Sequence, residues 1–218
     1  KNGIETKEFI FAKLNSLLLM VKVVKRLMML MRVYTTQVKQ SIESSFVHLH
    51  TDYLDSYVLH GPYSRTDLGA EDWEVWAAIE AFYQSGKARM IGISNVSAEQ
   101  LSQLCKKAKH KPMVVQNRCY ASMGWDENVR DICCAENIIY QGFSLLTANT
   151  GVISHPFVQS IAKRLGCKAI QVIFSFAIQV GMLPLSGTTD AEHMKEDLEA
   201  EKIVLSEEEI DQIEKIAT

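Results

Sequence analysis

The feature that most constrains the fold is a short apolar segment that ends at a histidine. Residues 53–59 are rich in aromatic, β-branched and aliphatic side chains, which is typical of a buried strand. Gly61 and Pro62 stop this strand, so we expect His60 to be its last residue. Ligands bind at the carboxyl ends of strands in parallel α/β sheets and barrels. His60 is therefore a candidate site residue, although a histidine at such a place is more often a hydrogen-bonded structural side chain.

Composition narrows the functional classes. The 218 residues are 47% apolar and 22% charged, as in ordinary globular proteins, and the net charge of -3 gives no reason to expect a nucleic-acid partner. The five cysteines show no paired metal-ligand spacing, and together with the lack of a secretory signal they favour reduced thiols and a cytoplasmic location. We expect no metal and no membrane partner.

The segment 14–36 is unusual because it is dense in leucine and methionine but interrupted by lysine and arginine. It is too short and too charged to span a bilayer. A helix packed on the core and an amphipathic helix on a membrane surface are the two interpretations, of which the first is the commoner outcome.

Predicted strands and helices alternate along the chain, which indicates an α/β fold with a parallel sheet. Apolar periodicity and capping residues predict helices at residues 36–48, 72–85, 98–109, 127–137, 156–165, 169–180, 191–198 and 207–216, with a turn at residues 187–190. Ser97, Ser206 and Asp72 are the expected capping side chains. Six strands are predicted, at residues 9–12, 54–59, 88–93, 113–116, 138–143 and 183–185.

Two motifs carry a family resemblance. Residues 51–62 end in Leu59, His60, Gly61 and Pro62 and resemble the fourth strand of the aldo-keto reductase family. Residues 86–95 follow the pattern Gly-Lys-x-Arg-x-Ile-Gly-x-Ser-Asn, which is specific to the same family. The resemblance implies a single domain over residues 1–218, a (β/α)8 TIM barrel that lacks its first two strands and is atypical at residues 14–35.

The resemblance also implies catalytic roles. His60 would orient the substrate carbonyl, and Lys13, at the end of the third family strand, would lower the pKa of a tyrosine proton donor. A solvated lysine at a strand tip is the structural alternative for Lys13. No Asp-x-x-x-x-Tyr pattern precedes Lys13, so we expect this truncated chain to lack the family's catalytic aspartate and tyrosine.

Cofactor-binding positions follow from the same resemblance. Ser94 and Asn95 would hold the nicotinamide carboxamide together with Gln116 or Asn117, and Phe143 would stack on the ring, although core packing is an equal alternative for Phe143. The remaining implied contacts follow the last two predicted strands: Ser144, Leu146, Gly187, Thr188, Thr189, His193, Glu196 and Asp197. Leu185 and His193 stand where relatives often carry basic residues. The implied cofactor is NADPH, with NADH as an alternative and weak discrimination between the two.

These residues predict an oxidoreductase that transfers a hydride from NAD(P)H to a small aldehyde or ketone. The alternatives are a non-catalytic cofactor-binding or regulatory protein, because the catalytic tyrosine and aspartate are not found, and a non-functional product. Missing front strands would leave open sheet edges at residues 9–12 and 183–185, and we expect self-association through them.

Overall fold

The computed structural model describes residues 34–216. The predicted strand at 9–12, Lys13 and almost all of the segment 14–36 lie outside this range. The described residues form two compact units, 34–116 with 136–138 and 117–135 with 139–216.

The first unit is built from three helices and the first three strands. In chain order these are α1 (Tyr34–Leu49), β1 (Tyr57–Leu59), α2 (Ala70–Gln84), β2 (Ile91–Ser94), α3 (Ala98–Lys107) and β3 (Val114–Arg118), of which residues up to Gln116 belong to this unit. β1 pairs in parallel with β2, and β2 with β3. Every residue of β1 and β2 is buried, as expected for strands of a parallel sheet that is covered on both faces.

Helix packing covers this sheet with apolar side chains. Val75, Trp76 and Ile79 of α2 are at most 2% exposed, as are Leu101 and Leu104 of α3. The i, i+3, i+4 spacing in α2 is the stripe from which that helix was predicted, whereas α3 was predicted from its Ser97 cap. Gly92 allows β2 and β3 to pair closely, since a Cβ at this position would lie 2.4 Å from the carbonyl oxygen of Val114.

The second unit contains the last two strands and most of the remaining helices. Its elements are a 3-10 segment (Ala121–Asp126), α4 (Glu127–Ala135), β4 (Ile139–Phe143), α5 (Thr150–Ile153), α6 (Pro156–Leu165), α7 (Ala169–Gln179), β5 (Leu183–Pro184), α8 (Ala191–Glu199), a 3-10 turn (Ala200–Lys202) and α9 (Glu207–Lys215). β4 and β5 pair in parallel. Trp125 and Phe176 are fully buried, with ring centroids 4.8 Å apart.

Sequence-based boundaries are wrong at several strands. The strand expected at 54–59 is Tyr57–Leu59, because Leu54 forms only an isolated bridge with Ala88. His60 therefore follows the strand instead of ending it. The other strands also start later or end earlier than expected, and β5 has only two residues.

Capping predictions are confirmed at two of three places. The hydroxyl oxygens of Ser97 and Ser206 accept hydrogen bonds from the backbone N–H groups of Gln100 and Glu209. Asp72 is not the N-cap residue of α2, which is Gly69. Instead, the buried Asp72 carboxylate accepts the backbone N–H groups of Gly69 and Tyr63, each at 2.9 Å, and so fixes the loop that follows β1.

Candidate active site

The carboxyl ends of β1, β2 and β3 bring four predicted site residues together. His60 directly follows β1 and Ser94 ends β2, whereas Gln116 is the middle residue of β3 and lies level with Ser94. The register pairs Ser94 with Gln116, so their side chains point to the same face of the sheet. Asn95 follows Ser94 and is exposed, whereas Ser94 and Gln116 are buried.

Asn95 connects two strand ends through its side-chain amide. Its Nδ2 donates to the carbonyl oxygen of His60 at 2.7 Å and to Oγ of Ser94 at 3.1 Å. The residue has φ 52°, in the left-handed region that asparagine adopts more readily than most residues. An asparagine at this position therefore meets both a backbone requirement and a hydrogen-bonding requirement.

Ser94 connects the next pair of strands. Its hydroxyl donates to the carbonyl oxygen of Gln116 at 2.5 Å, and the backbone N–H of Asn95 donates to the same oxygen at 3.2 Å. Gly61 packs against this corner, since a Cβ there would lie 3.2 Å from the carbonyl oxygen of Ser94. The four residues thus form a hydrogen-bonded edge, which we call the strand-end cluster: His60, Ser94, Asn95 and Gln116.

Asn117 belongs to a different arrangement, in the second unit. Adjacent strand residues point to opposite faces, so its side chain faces away from that of Gln116. Its Nδ2 donates to Asp126 Oδ2 at 2.8 Å, and the same oxygen accepts the hydroxyl of Tyr140 at 2.8 Å. Burial raises the pKa of Asp126, opposed by these two hydrogen bonds and the nearby Arg130, and burial likewise raises the pKa of Tyr140.

Three residues predicted to contact the cofactor lie at or just after the end of β4. Phe143 ends this strand, is half-buried, and accepts the backbone N–H of Cys119 at 3.1 Å. Ser144 has φ 61°, and it begins a turn in which its carbonyl oxygen accepts the backbone N–H of Ala148 at 2.9 Å. Leu146, also half-buried, lies in this turn.

The remaining predicted contacts surround the start of α8. Gly187 and Thr189 are exposed, and Thr188 Oγ1 accepts the backbone N–H of Asp190 at 3.1 Å. Asp190 caps α8, and its Oδ1 accepts the backbone N–H groups of Glu192 and His193. The side chain of His193 is exposed.

Two carboxylates of α8 have side-chain partners in the same unit. Asp197 accepts a short hydrogen bond from the hydroxyl of Ser186, and Glu196 forms an ion pair with Lys168. Gln171 also donates to the carbonyl oxygen of Glu196 at 2.9 Å.

Metal and membrane features are absent from residues 34–216. No group of three or more histidine, cysteine, aspartate or glutamate side chains is placed to hold a metal ion in this range. No helix within it is both long and apolar enough to cross a membrane.

Comparison with known proteins decides the family. The model of the Aldo/keto reductase family matches residues 4–154 and 154–218. The chain belongs to the aldo/keto reductase family. Its similarity to solved aldo-keto reductases supports the same fold: an aldo-keto reductase from a Medee basin deep-sea metagenome library superposes with a TM-score of 0.75 at 22% identity, covering 83% of this chain and 65% of that one. The predicted TIM-barrel architecture is thereby confirmed.

Curated relatives share somewhat more of their sequence with this family member than the solved structure does. Aldo-keto reductase family 4 member C11 of Arabidopsis thaliana is 28% identical, over 82% of this chain and 62% of the relative. Glyoxal reductase of Bacillus subtilis is 29% identical, over 80% of this chain and 60% of the relative. The chain thus spans about 60% of the length of these relatives.

Several residues that organise the site of this aldo/keto reductase family member were not predicted from its sequence. Gly61 was interpreted only as a strand stop, whereas its lack of a side chain lets the loop approach Ser94. Asp190 was placed in a turn at a helix start, where an aspartate is a recognised N-cap signal. Asp126 gave no signal, because its partners Asn117 and Tyr140 are separated from it by 9 and 14 positions.

Proposed function

We propose that this chain binds a reduced nicotinamide dinucleotide and belongs to an oxidoreductase that reduces a small aldehyde or ketone. The strand-end cluster is the observation that carries the proposal, because it places a histidine and two side-chain amides at the carboxyl edge of parallel strands. Family membership and the names of several relatives, among them the NADPH-dependent alpha-keto amide reductase of Saccharomyces cerevisiae, support the same chemistry.

The cluster fits a carboxamide group. An amide nitrogen carries two hydrogens, and both hydrogens of Asn95 have acceptors, in His60 and Ser94. The Asn95 side-chain oxygen therefore remains to accept an N–H from the carboxamide. Gln116 would complete the pairing by donating to the carboxamide oxygen.

Register favours Gln116 over Asn117 for this role. Gln116 is paired with Ser94 and shares its face, whereas the Asn117 amide donates to Asp126. A single face of β3 cannot present both side chains. We therefore assign the carboxamide contact to Gln116 and a structural contact to Asn117.

The bound nicotinamide would supply the hydride to the carbonyl carbon. His60 would donate a hydrogen bond to the oxygen of the substrate carbonyl, where negative charge develops. The hydrogen bond from Asn95 to the backbone of His60 would hold this histidine at the end of β1. The adenosine end would lie at the Gly187–Asp190 turn and along α8. The roles of Lys13, Phe143, Ser144 and Leu146 remain those that the family resemblance implies.

A titration run beside a turnover assay tests the proposal. The change in fluorescence of the reduced dinucleotide on addition of the chain measures binding. The decrease in absorbance of the reduced nicotinamide, with 4-nitrobenzaldehyde as the substrate, measures reduction. Saturable binding with turnover supports the reductase, and binding without turnover supports the alternative of a non-catalytic cofactor-binding protein. Absence of binding would refute both.

A further inference from the structure

The loop between β1 and α2 begins at the strand-end cluster. It comprises residues 61–69, directly after His60, and most of them are exposed. A Cβ on Gly61 would lie 3.2 Å from the carbonyl oxygen of Ser94 and 3.4 Å from Cβ of Asn95. This β1–α2 loop is therefore continuous with the proposed substrate residue and packs against the turn that is proposed to hold the cofactor.

Two buried side chains hold the β1–α2 loop in place. The carboxylate of Asp72, in α2, accepts a backbone N–H group from each end of the loop. Gln100, in α3, holds the middle, because its Nε2 donates to the carbonyl oxygens of Ser64 at 2.8 Å and Asp67 at 3.4 Å. Asp72 and Gln100 are at most 4% exposed. The half-buried Gln103 adds a hydrogen bond at 3.3 Å to the carboxylate of Asp67.

Gln100 has a second role at the start of α3. Its Oε1 accepts the backbone N–H of Ser97 at 3.0 Å, and Oγ of Ser97 accepts the backbone N–H of Gln100 at 3.2 Å, which is a capping box. One carboxamide thus joins the loop that follows His60 to the turn that carries Asn95. Glutamate also suits a capping box, but an ionised glutamate has no N–H to donate to the loop.

We propose that Gln100 is a positioning residue, which holds the β1–α2 loop against the cofactor turn and so shapes the substrate side of the site. The inference rests on the proposed function, which assigns substrate contact to His60 and cofactor contact to Asn95. A loop that is already fixed costs less conformational entropy when a small molecule binds beside it. Releasing the loop should therefore weaken the binding of a carbonyl compound or its alcohol, whereas the dinucleotide should bind as before.

Two substitutions remove the loop contacts in different ways. Gln100→Glu keeps the acceptor for the N–H of Ser97 but loses both donated hydrogen bonds, and its carboxylate repels the carbonyl oxygens of Ser64 and Asp67. Gln100→Met is uncharged and similar in length, and it loses the loop contacts together with the contact to Ser97. Agreement between the two variants excludes an effect that is due only to a buried charge.

Two control variants are matched to these changes. Ser97→Ala weakens the cap of the same helix but leaves the Gln100 amide to hold the loop. Gln171→Glu makes the same change in the second unit, where Gln171 accepts the backbone N–H of Lys168 and donates to the carbonyl oxygen of Glu196. It therefore reproduces the burial of a new carboxylate away from the loop.

Two measurements separate the loop from the ligand. Trypsin cleaves after Arg65, an exposed residue of the loop, at a rate that follows the population of the open loop, and mass spectrometry identifies this cut. Calorimetry measures the affinity of the chain, saturated with NADPH or NADH, for 4-nitrobenzyl alcohol, the product of 4-nitrobenzaldehyde reduction. No hydride is transferred, because both molecules are already reduced. Thermal melting verifies folding, and fluorescence titration gives the affinity for the dinucleotide.

Both Gln100 variants should be cut after Arg65 roughly tenfold faster than the unmodified chain, the effect expected from the loss of two hydrogen bonds. Their affinity for the alcohol should fall about fivefold, with the dinucleotide affinity unchanged. Ser97→Ala and Gln171→Glu should be cut like the unmodified chain.

Unchanged cleavage in both Gln100 variants would overturn the inference alone. Faster cleavage with unchanged affinity for the alcohol, or with an equal loss of dinucleotide affinity, would also overturn it, because Gln100 would then have only a structural role. If the unmodified chain bound neither NADPH nor NADH, or did not bind the alcohol in their presence, the proposed function would be refuted with it.

Discussion

The side-chain amide of Asn95 donates a 2.7 Å hydrogen bond to the carbonyl oxygen of His60, which ties the end of β2 to the residue that follows β1. His60 is the candidate residue for contact with the substrate, and Asn95 is a candidate residue for contact with the cofactor. A single hydrogen bond thus fixes the relative position of the two groups that a hydride-transfer site has to align.

Replacing Asn95 should destabilise the first unit in two separable ways. Asn95→Ala loses the bond to His60 and places a Cβ-bearing residue without a local hydrogen bond at φ 52°, which together should cost about 1–3 kcal/mol. Asn95→Gly loses the bond but tolerates the backbone conformation, so its cost should be smaller. Urea denaturation measures both. Equal stability of the Ala variant and the unmodified chain would contradict the structural role.

Asp126 should make stability depend on pH. Burial raises its pKa in the folded state above the ordinary value of 3.8, so the folded chain holds its proton more tightly than the unfolded chain does. This contribution is fully present below pH 3.8 and is lost as the pH rises through the folded pKa. The stability of the unmodified chain relative to Asp126→Asn should therefore decrease from pH 3.5 to 7.

Chemical denaturation at several pH values measures this trend. The slope should not exceed about 1.4 kcal/mol per pH unit, the limit for one proton. Asp131→Asn removes an exposed carboxyl from the neighbouring helix α4 and serves as the control. If the stability of the unmodified chain relative to the Asp126→Asn variant increased with pH, the hydrogen bonds from Asn117 and Tyr140 would outweigh the effect of burial on the pKa of Asp126.

Removing the side chain of Trp125 should strongly destabilise the chain. It is fully buried, packs on Phe176, and donates through Nε1 to the carbonyl oxygen of Ile213 at 3.4 Å. Trp125→Ala should lose about 3–5 kcal/mol, and Trp125→Phe should lose less because it keeps the ring contact. Trp73→Ala removes a half-buried indole and is the control. Similar losses for Trp125→Ala and Trp73→Ala would contradict this assignment.

Sequence predicted the helices better than the strands for a physical reason. The apolar periodicity of a helix and its serine cap depend on residues that are close in sequence. For this reason the helix at residues 156–165 was predicted with its observed bounds, and Ser97 and Ser206 cap their helices as expected. Strand ends depend on pairing with distant residues, and for this reason Leu54 was wrongly included in β1.

Long-range contacts also explain what sequence could not predict in the site. Gly124, Trp125 and Asp126 are all left-handed, a conformation that two non-glycine residues adopt only when their surroundings hold them there. Those surroundings include Asn117 and Tyr140 around the Asp126 carboxylate. The choice between Gln116 and Asn117 likewise required the register of β3 against β2, which the sequence does not contain.

Dinucleotide titration of the Gln116→Leu variant tests the central claim most directly. Leucine has nearly the volume of glutamine but cannot pair with a carboxamide, so NADH affinity should fall about tenfold, the loss expected when a hydrogen bond leaves a buried polar group unpaired. Gln103→Leu, which makes the same chemical change on α3, should bind like the unmodified chain. Equal NADH affinity of the Gln116→Leu variant and the unmodified chain would show that the strand-end cluster does not hold the cofactor.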